Sequence, residues 1–453
     1  MGETDNMSKK KNTDTIIIVE CYSSAVNYIH DIRERGYEPI LLELYVPEER
    51  RERERTINDR AYTFNNDSYP RVIMAKESYE ETLDMIRNLS PVLILPGSDP
   101  GMEMALRLSA DLGLKSNPLS ILWNLRDKYV MQHSLITAGL RTIRSCIVSD
   151  EEDAVAFYRR ENGRKVVIKP TQSAGSVNVF ICGSETEVRR AYHVNSEFVK
   201  DRCRTNETVI IQEYIDGEEY VIDTISCEGR HAALFGMRYI KRMCKGYGKI
   251  YDTDIYFSPD EAMATELVDY CFKTLDCLGI LYGPVHSEFI IDKNGPVLVE
   301  VNARPAGAFQ KYTFQDKVME NHETAVSLDS YFMDKKQFSD RYPERMHLKQ
   351  PAAVKQICLE EAIFVNKVRI TERLSGLPGF EYAVDNGEDR IYPKTTDLKT
   401  NGGIIYVTSP DPDIIERDLS EIRRLEKHGL GELYDMHRIC YTFQPTVIKK
   451  GKG

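Results

Sequence analysis

The sequence predicts a three-part fold, parallel α/β at its start and α+β beyond. Three observations carry that reading. Up to about residue 121, β-branched runs alternate with helical stretches, the pattern of a parallel sheet. From about 122 to 345, short strand patterns follow one helix and end on "PVHSEFIIDKNGPVLVEVNARPAG", residues 284 to 307. From about 350 to 446, short strands punctuated by Gly and Pro close on an amphipathic helix. A chain of 453 residues, 42% hydrophobic, suits three cores at about 150 residues per domain.

In the first part, "TIIIVE" (15 to 20) is a strand, and a helix runs from about Ser24 to Arg35 until Gly36 stops it. "EPILLELY" gives a second strand, "ETLDMIRNL" a second helix and "PVLILPGSD" a third strand. "DPGMEMALRLSADLGL" continues as a helix, with Asp99 expected as its N-cap. A dinucleotide site would need G-x-G-x-x-G after the first strand. That turn reads "ECYSSAVNY", without glycine, which argues against NAD.

The second part opens with a helix over "WNLRDKYVMQHSLITAGL". In "RKVVIKPTQSAGSVNVFIC" a strand delivers Lys169, and Ser173, Ala174, Gly175 and Ser176 form a small-residue loop. Open backbone N–H groups in such a loop can bond phosphate oxygens, and Lys169 supplies a compact charge. It is not a Walker A loop, and the same composition suits an ordinary flexible hairpin. "TVIIQEYIDGEEYVIDTIS", 208 to 226, is a strand that loses apolar character at Gln212–Glu213 and resumes beyond Asp216–Gly217. That connector either offers backbone groups to an adenine edge and a carboxylate to ribose, or is a surface hairpin. The Lys-, Arg- and Tyr-rich segment 237–257, with Arg238, Lys241 and Arg242, either recognises substrate carboxylates or forms a basic surface loop.

The 284–307 stretch reads as a hairpin. A three-residue loop of Lys293, Asn294 and Gly295, with Gly left-handed, pairs Ile290 with Leu298, Glu288 with Glu300 and His286 with Asn302. Glu288, Glu300, Asn302 and Arg304 then share one face, and Phe289, Ile291, Val297, Val299 and Val301 the other. A loop one residue longer or shorter puts the two glutamates on opposite faces. At roughly 5 Å and an effective dielectric near 20, facing carboxylates repel by about 3 kcal/mol. A shared proton or a divalent cation relieves this, and two carboxylates with an Asn amide suit Mg²⁺. A solvated sheet face also carries such residues, so the metal needs a phosphate partner elsewhere.

The third part places strands at "AAVKQICL" and "GGIIYVTS" and a helix at "DPDIIERDLSEIRRLEKHG". It shows no reactive constellation and is expected to cover or complete the second part.

Composition narrows the class. No apolar run approaches the roughly 20 residues of a membrane span. Residues 1–14 are polar, read as a disordered tail without a secretory signal, and Asn6 fits myristoylation poorly. Ten cysteines without a C-x-x-C pair argue for a reducing cytoplasm over zinc or disulfides. A net charge of −11 argues against nucleic acid. The run "EERRERERT", 48 to 56, reads as a solvated helix or loop.

Taken in order, the "Lys-Pro…Ser-Ala-Gly-Ser" loop, "QEYIDGEEY" and "HSEFIID…VLVEVNARPAG" resemble the ATP-grasp superfamily. The resemblance spans about 120 to 310, and "HSEF" with "VEVNARPAG" looks most like the L-amino acid ligases, carboxylate–amine ligases that make dipeptides. It implies a central ATP-grasp domain over 122–345 with a mobile lid at about 142–212, between a pre-ATP-grasp domain (15–121) and a β-rich domain (350–446). It implies nucleotide contacts from Lys128, Lys169, the lid loop Ser173, Ala174, Gly175, Ser176 and Val177, the hinge Gln212, Glu213, Tyr214 and Ile215, and the ribose acid Glu219. Many members have Lys where Glu213 stands, so only a backbone contact to adenine carries over there. Glu288, Glu300 and Asn302 match metal ligands for Mg²⁺, with Mn²⁺ able to substitute, and Arg304 matches the arginine on the reacting oxygens. His286 lies beside this centre, placed to orient Glu288 or substrate, or to make a structural hydrogen bond.

The implied reaction is ATP-driven amide formation, between amino acids or between an amino acid and another carboxylic acid, through an acylphosphate with release of ADP and phosphate. Alternatives are a carboxylase-type or purine-pathway ligase using bicarbonate or a ribosylamine, and, more remotely, a non-catalytic nucleotide-binding protein. No membrane or nucleic-acid partner is expected, and a homodimer is the default assembly.

ATP is the implied phosphate donor, and the acid and amine are expected to be amino acids.

Overall fold

The computed structural model describes residues 14–45, 70–172, 177–202, 207–244, 248–258, 262–345 and 347–438. The tail before Asp14, the charged run 48–56 and the loop Ser173–Ser176 lie outside the described residues.

β1 (Thr15–Val19), β2 (Glu38–Glu43), β3 (Arg71–Met74) and β4 (Leu93–Pro96) form a parallel sheet in the order β3-β2-β1-β4. Ile16 to Val19 are all buried, as expected of a central strand covered on both faces. β3 escaped the sequence reading because it is four residues long, half-exposed and at the edge. Asp99 does not cap a helix: it begins a short 3₁₀ turn, and its carboxylate accepts hydrogen bonds from Arg304 instead.

The helix expected over 123–140 is two helices, Leu122–Arg126 and Lys128–Thr137. Asp127 between them is extended (φ −109°, ψ 114°), and its carboxylate caps the second by accepting from the N–H groups of Tyr129 (2.9 Å) and Val130 (3.1 Å). Lys128 therefore opens the second helix. β5 (Ser145–Val148), β6 (Val166–Pro170), β7 (Phe180–Cys182) and β8 (Val209–Glu213) make an antiparallel sheet in the order β5-β8-β6-β7. Helices Glu151–Arg160 and Glu185–Arg202 cover one face, their Val155 and Val188 sharing a core with Ile168 of β6.

The largest sheet takes β9 (Glu218–Cys227), β10 (Arg230–Cys244), β11 (Gly248–Phe257), β12 (Tyr282–Asp292) and β13 (Gly295–Asn302). From the third part follow β14 (Ala352–Ile357), β15 (Ile363–Val368), β16 (Phe380–Asp385), β17 (Arg390–Tyr392), β18 (Gly403–Thr408) and β19 (Tyr434–Arg438). The order β13-β12-β9-β10-β11-β14-β18-β16 makes the third part continue the central sheet, while β17-β15-β19 form a small sheet apart. One face of the large sheet packs on helix Ala262–Leu278 through Phe289, Leu298 and Val301. Helix Pro412–His428 lays Ile415, Leu419 and Ile422 against Ala353, Ile405 and Val407. No helix among the described residues is long and apolar enough to cross a membrane.

Candidate active site

The hairpin brings Glu288 opposite Glu300 and His286 opposite Asn302, by a different route from the one expected. Asp292 pairs with Gly295, so the loop is the two residues Lys293 and Asn294, with Gly295 at φ +92°. That shorter loop alone would have separated the glutamates. A bulge between Glu288 and Phe289 restores the register, pairing Phe289 with Leu298 and leaving Val299 as the extra residue. Leu298 therefore enters the core, while Val299, expected there, lines the cleft beside Glu300.

That cleft opens between the β5–β8 sheet and the large sheet. Of the residues expected from the sequence it gathers Lys128, Lys169, Gln212, Glu213, Tyr214, Ile215, Glu219, Glu288 and Glu300, from one helix, five strands and the turn after β8. Val177 is half-buried and does not line it, and Asn302, Arg304 and His286 lie beyond its glutamate end. Ile143, Val167, Val179, Ile181, Ile290 and Val299 supply the apolar walls, which the sequence reading did not identify. A flat aromatic base fits between walls of this kind. Gly217 stands in the turn before Glu219, where a Cβ would lie 2.3 Å from the Ile291 carbonyl oxygen.

Charge is concentrated at the glutamate end. Lys128 Nζ lies 2.6 Å from Glu300, both side chains buried, and the Asn302 amide donates to Glu300 at 3.4 Å. Burial pushes the Glu300 carboxyl up, but Lys128 and Lys169 outweigh it and hold the group well below the usual range. Burial, with Lys128 adding to it, drives Lys169 down to about 8. Two carboxylates and an amide oxygen form the hard-oxygen donor set that Mg²⁺ prefers. Lys128 supplies the countercharge to Glu300 in the structure.

Arg304 is half-buried, and its guanidinium donates from Nε and Nη2 to Asp99 at 3.2 to 3.3 Å. His286 donates or shares its Nδ1 proton with Asp223 (2.9 Å), while Nε2 lies 3.2 Å from the Tyr239 hydroxyl and 3.7 Å from Glu288. Burial opposes a charged His286, but Asp223 overrides it and raises the ring to about 10. The loop after Arg304 holds Ala308 (φ 65°) and Phe309 (φ 56°) in consecutive left-handed conformations, a strained arrangement. Ser23 accepts from Phe309 N–H, Ser24 from Gln310 N–H, and Asn27 bonds Gln310 and Tyr312.

The basic segment divides. Lys241 lines the cleft, bonded to Glu219 and 4.1 Å from the centroid of the Tyr251 ring. Arg242 turns to the opposite side, onto Glu426 and the Cys358 carbonyl, and Arg238 meets Glu218 at 3.7 Å. Glu213 likewise turns its carboxylate back onto Arg144 at 2.6 Å. Asp252, Cys358 and Glu426 sit close enough to suggest a metal, but Arg242 and Lys355 already balance that cluster.

Residues 163–311 match the ATP-grasp domain family. The chain therefore carries an ATP-grasp domain. Dapdiamide A synthase of Enterobacter agglomerans is 23% identical over 431 residues, 93% of this chain and 97% of that protein. The L-arginine-specific L-amino acid ligase of Bacillus subtilis is 24% identical over 184 residues, 40% of this chain and 44% of that one. In structure, an L-amino acid ligase from Bacillus licheniformis has a TM-score of 0.73 at 16% identity, covering 95% of this chain and 99% of that chain. A biotin carboxylase domain of Hydrogenobacter thermophilus, solved with MgADP and bicarbonate, has a TM-score of 0.65 at 16% identity, over 94% and 91% of the two chains. The architecture of this ATP-grasp chain is therefore the one expected: a parallel sheet first, antiparallel sheets after it.

Proposed function

We propose that this ATP-grasp ligase joins a small carboxylic acid to an amine, both amino acids, through an acylphosphate. The observation that carries it is the pairing of Glu288 with Glu300 at the end of the cleft where Lys128 and Lys169 stand, with Arg304 beyond. ATP lies with adenine between the apolar walls and its phosphates toward the two lysines. Glu213 and Tyr214 N–H groups already bond Arg144 and Lys165 carbonyls, so the adenine-facing donor falls to Ile215. Glu219 takes the ribose hydroxyls, and the loop Ser173–Val177 covers the phosphates. Glu288, Glu300 and Asn302 hold Mg²⁺, or Mn²⁺ in its place, which when bound neutralises phosphate charge.

A substrate carboxylate oxygen attacks the γ-phosphorus, ADP leaves, and the amine then attacks the acyl carbon with loss of phosphate. Lys128 and Lys169 hold the phosphates through that transfer. Arg304, fixed by Asp99, meets the oxyanion that develops on the acyl group. His286, kept protonated by Asp223, orients Glu288 and the substrate. The functional units are taken as 15–121, 122–345 with a lid at about 142–212, and 350–446, in a cytoplasmic homodimer.

The test is phosphate release from Mg-ATP with amino acids singly and in pairs, the product identified by mass, with Arg304→Ala as control. Amino-acid-dependent release that falls in the variant and yields a condensed product supports the reading. ATP binding without any amino-acid stimulation refutes it and points to bicarbonate or a ribosylamine.

A further inference from the structure

The face of the large sheet beyond the glutamates holds more buried negative charge than the proposed reaction uses. Asp223 and Glu323 are fully buried, and each has partners: His286 for the first, the Ala306 N–H at 3.0 Å for the second. Asp254 differs. It stands on β11 directly across from Tyr239 of β10, 4% exposed. Its Oδ2 accepts one long bond (3.3 Å) from the Gln356 amide, and its Oδ1 is buried with no hydrogen-bond partner. Native structures rarely leave a buried carboxylate oxygen unpaired, and one that is left so calls for an unseen partner.

The surroundings favour a cation. Asp254 pairs with Val354 and Val354 with Tyr406, whose buried hydroxyl also lacks a hydrogen-bond partner. Tyr406 stacks on Tyr382 at 4.1 Å, so the same row offers aromatic faces as well as oxygens. Burial pushes the Asp254 carboxyl up to about 7, and the pull of Lys241, the Gln356 amide and His286 does not restore it. Lys241 is committed to Glu219. A ligand that brings its own positive charge completes this site; a neutral or anionic one does not.

We propose that Asp254 seats a primary ammonium group carried by one of the two substrates. The assignment of that group to a substrate rests on the ligase reading above. Its source is either the acid that is activated or the amine that attacks, and kinetics separate the two.

Asp254→Asn keeps the shape and removes the charge. Its KM for the ammonium-bearing substrate is expected to rise about 30-fold or more, the usual loss for a buried charge pair, with KM for ATP within about twofold of wild type. The substrate whose KM rises is the source. A thermal midpoint equal to or above wild type accompanies this, because the variant no longer buries an unpaired charge. Unchanged KM for both substrates overturns the proposal, as does a lowered midpoint without a KM effect, which marks a structural carboxylate. If wild type turns over no amino acid, the ligase reading fails separately. The seat is then judged by thermal shift: L-alanine must stabilise wild type more than propionate does, and Asp254→Asn must abolish that difference. Equal shifts from the two probes refute it.

Discussion

Lys169 gives the sharpest pH prediction. It is 5% exposed, and burial together with Lys128 brings it from 10.5 down to about 8, against the pull of Glu300, Glu288 and Glu219. At about 1.4 kcal/mol per factor of ten, the charged form is disfavoured by roughly 3 kcal/mol relative to water. Bound phosphates supply the countercharge that is lacking and move the group back up. The free enzyme's ionisations govern kcat/KM, so kcat/KM for ATP is expected to fall as pH rises above about 8, by up to tenfold per pH step. The matching fall in kcat, which reports the bound complex, lies at higher pH.

The stability sign is opposite, which separates this loss from alkaline unfolding. Between about 8 and 10.5 the unfolded chain binds the Lys169 proton and the native chain does not, so this group adds stability as pH rises. His286 works the other way: raised to about 10, its contribution is present below its unfolded value and is lost as pH climbs through 10. The comparison is therefore made between wild type and Lys169→Arg, whose side chain stays charged throughout. ADP release measured from pH 7 to 10 should show the limb in wild type only. A limb that persists in Lys169→Arg, or a flat wild-type profile, refutes the reasoning.

Glu300→Gln strips the buried partner from Lys128 and is expected to cost about 3–5 kcal/mol, seen as a lowered thermal midpoint, with turnover down about 100-fold. Glu288→Gln, whose nearest ion-pair contact is His286 at 3.7 Å, should lose turnover equally while the midpoint holds. Asp99→Asn loosens the Arg304 guanidinium, and kcat should fall about 10- to 100-fold with KM for ATP unchanged, measured by steady-state kinetics. Asn27→Ala removes both bonds to the loop after Arg304 and should destabilise by about 1–3 kcal/mol, read as a lower midpoint, with kcat falling more than ATP affinity.

The fold class and many of the residues that line the cleft were legible because they rest on local pattern. Alternation exposes a strand, and loss of apolar character at Gln212 marks where one ends. The hairpin shows the limit of such reading. Its facing glutamates were foreseen, but from a loop one residue too long, and the bulge at Val299 cancels that difference. Alternation has no signature for a bulge within an apolar run. Lys241 and Arg242 show the reverse case. Consecutive strand residues point to opposite faces, so their joint assignment to one pocket was already inconsistent with a strand.

What stayed hidden is held by contacts between distant residues. Asp99 lies 205 positions before Arg304, and Asn27 lies 283 before Gln310. "ECYSSAVNY" said only that a dinucleotide turn was absent; in the structure its serines and Asn27 clamp the loop that follows Arg304. That clamp has a physical reason. Two successive non-glycine residues in left-handed conformations persist only where their surroundings over-determine them. Ser23 fixes the Phe309 N–H from the first part of the chain, while the Tyr382 hydroxyl donates to the Phe309 carbonyl from the third. The loop beside the proposed acyl-binding arginine is thus held by hydrogen bonds from the first and third parts of the chain, and a change in either is expected to reach that arginine through the loop.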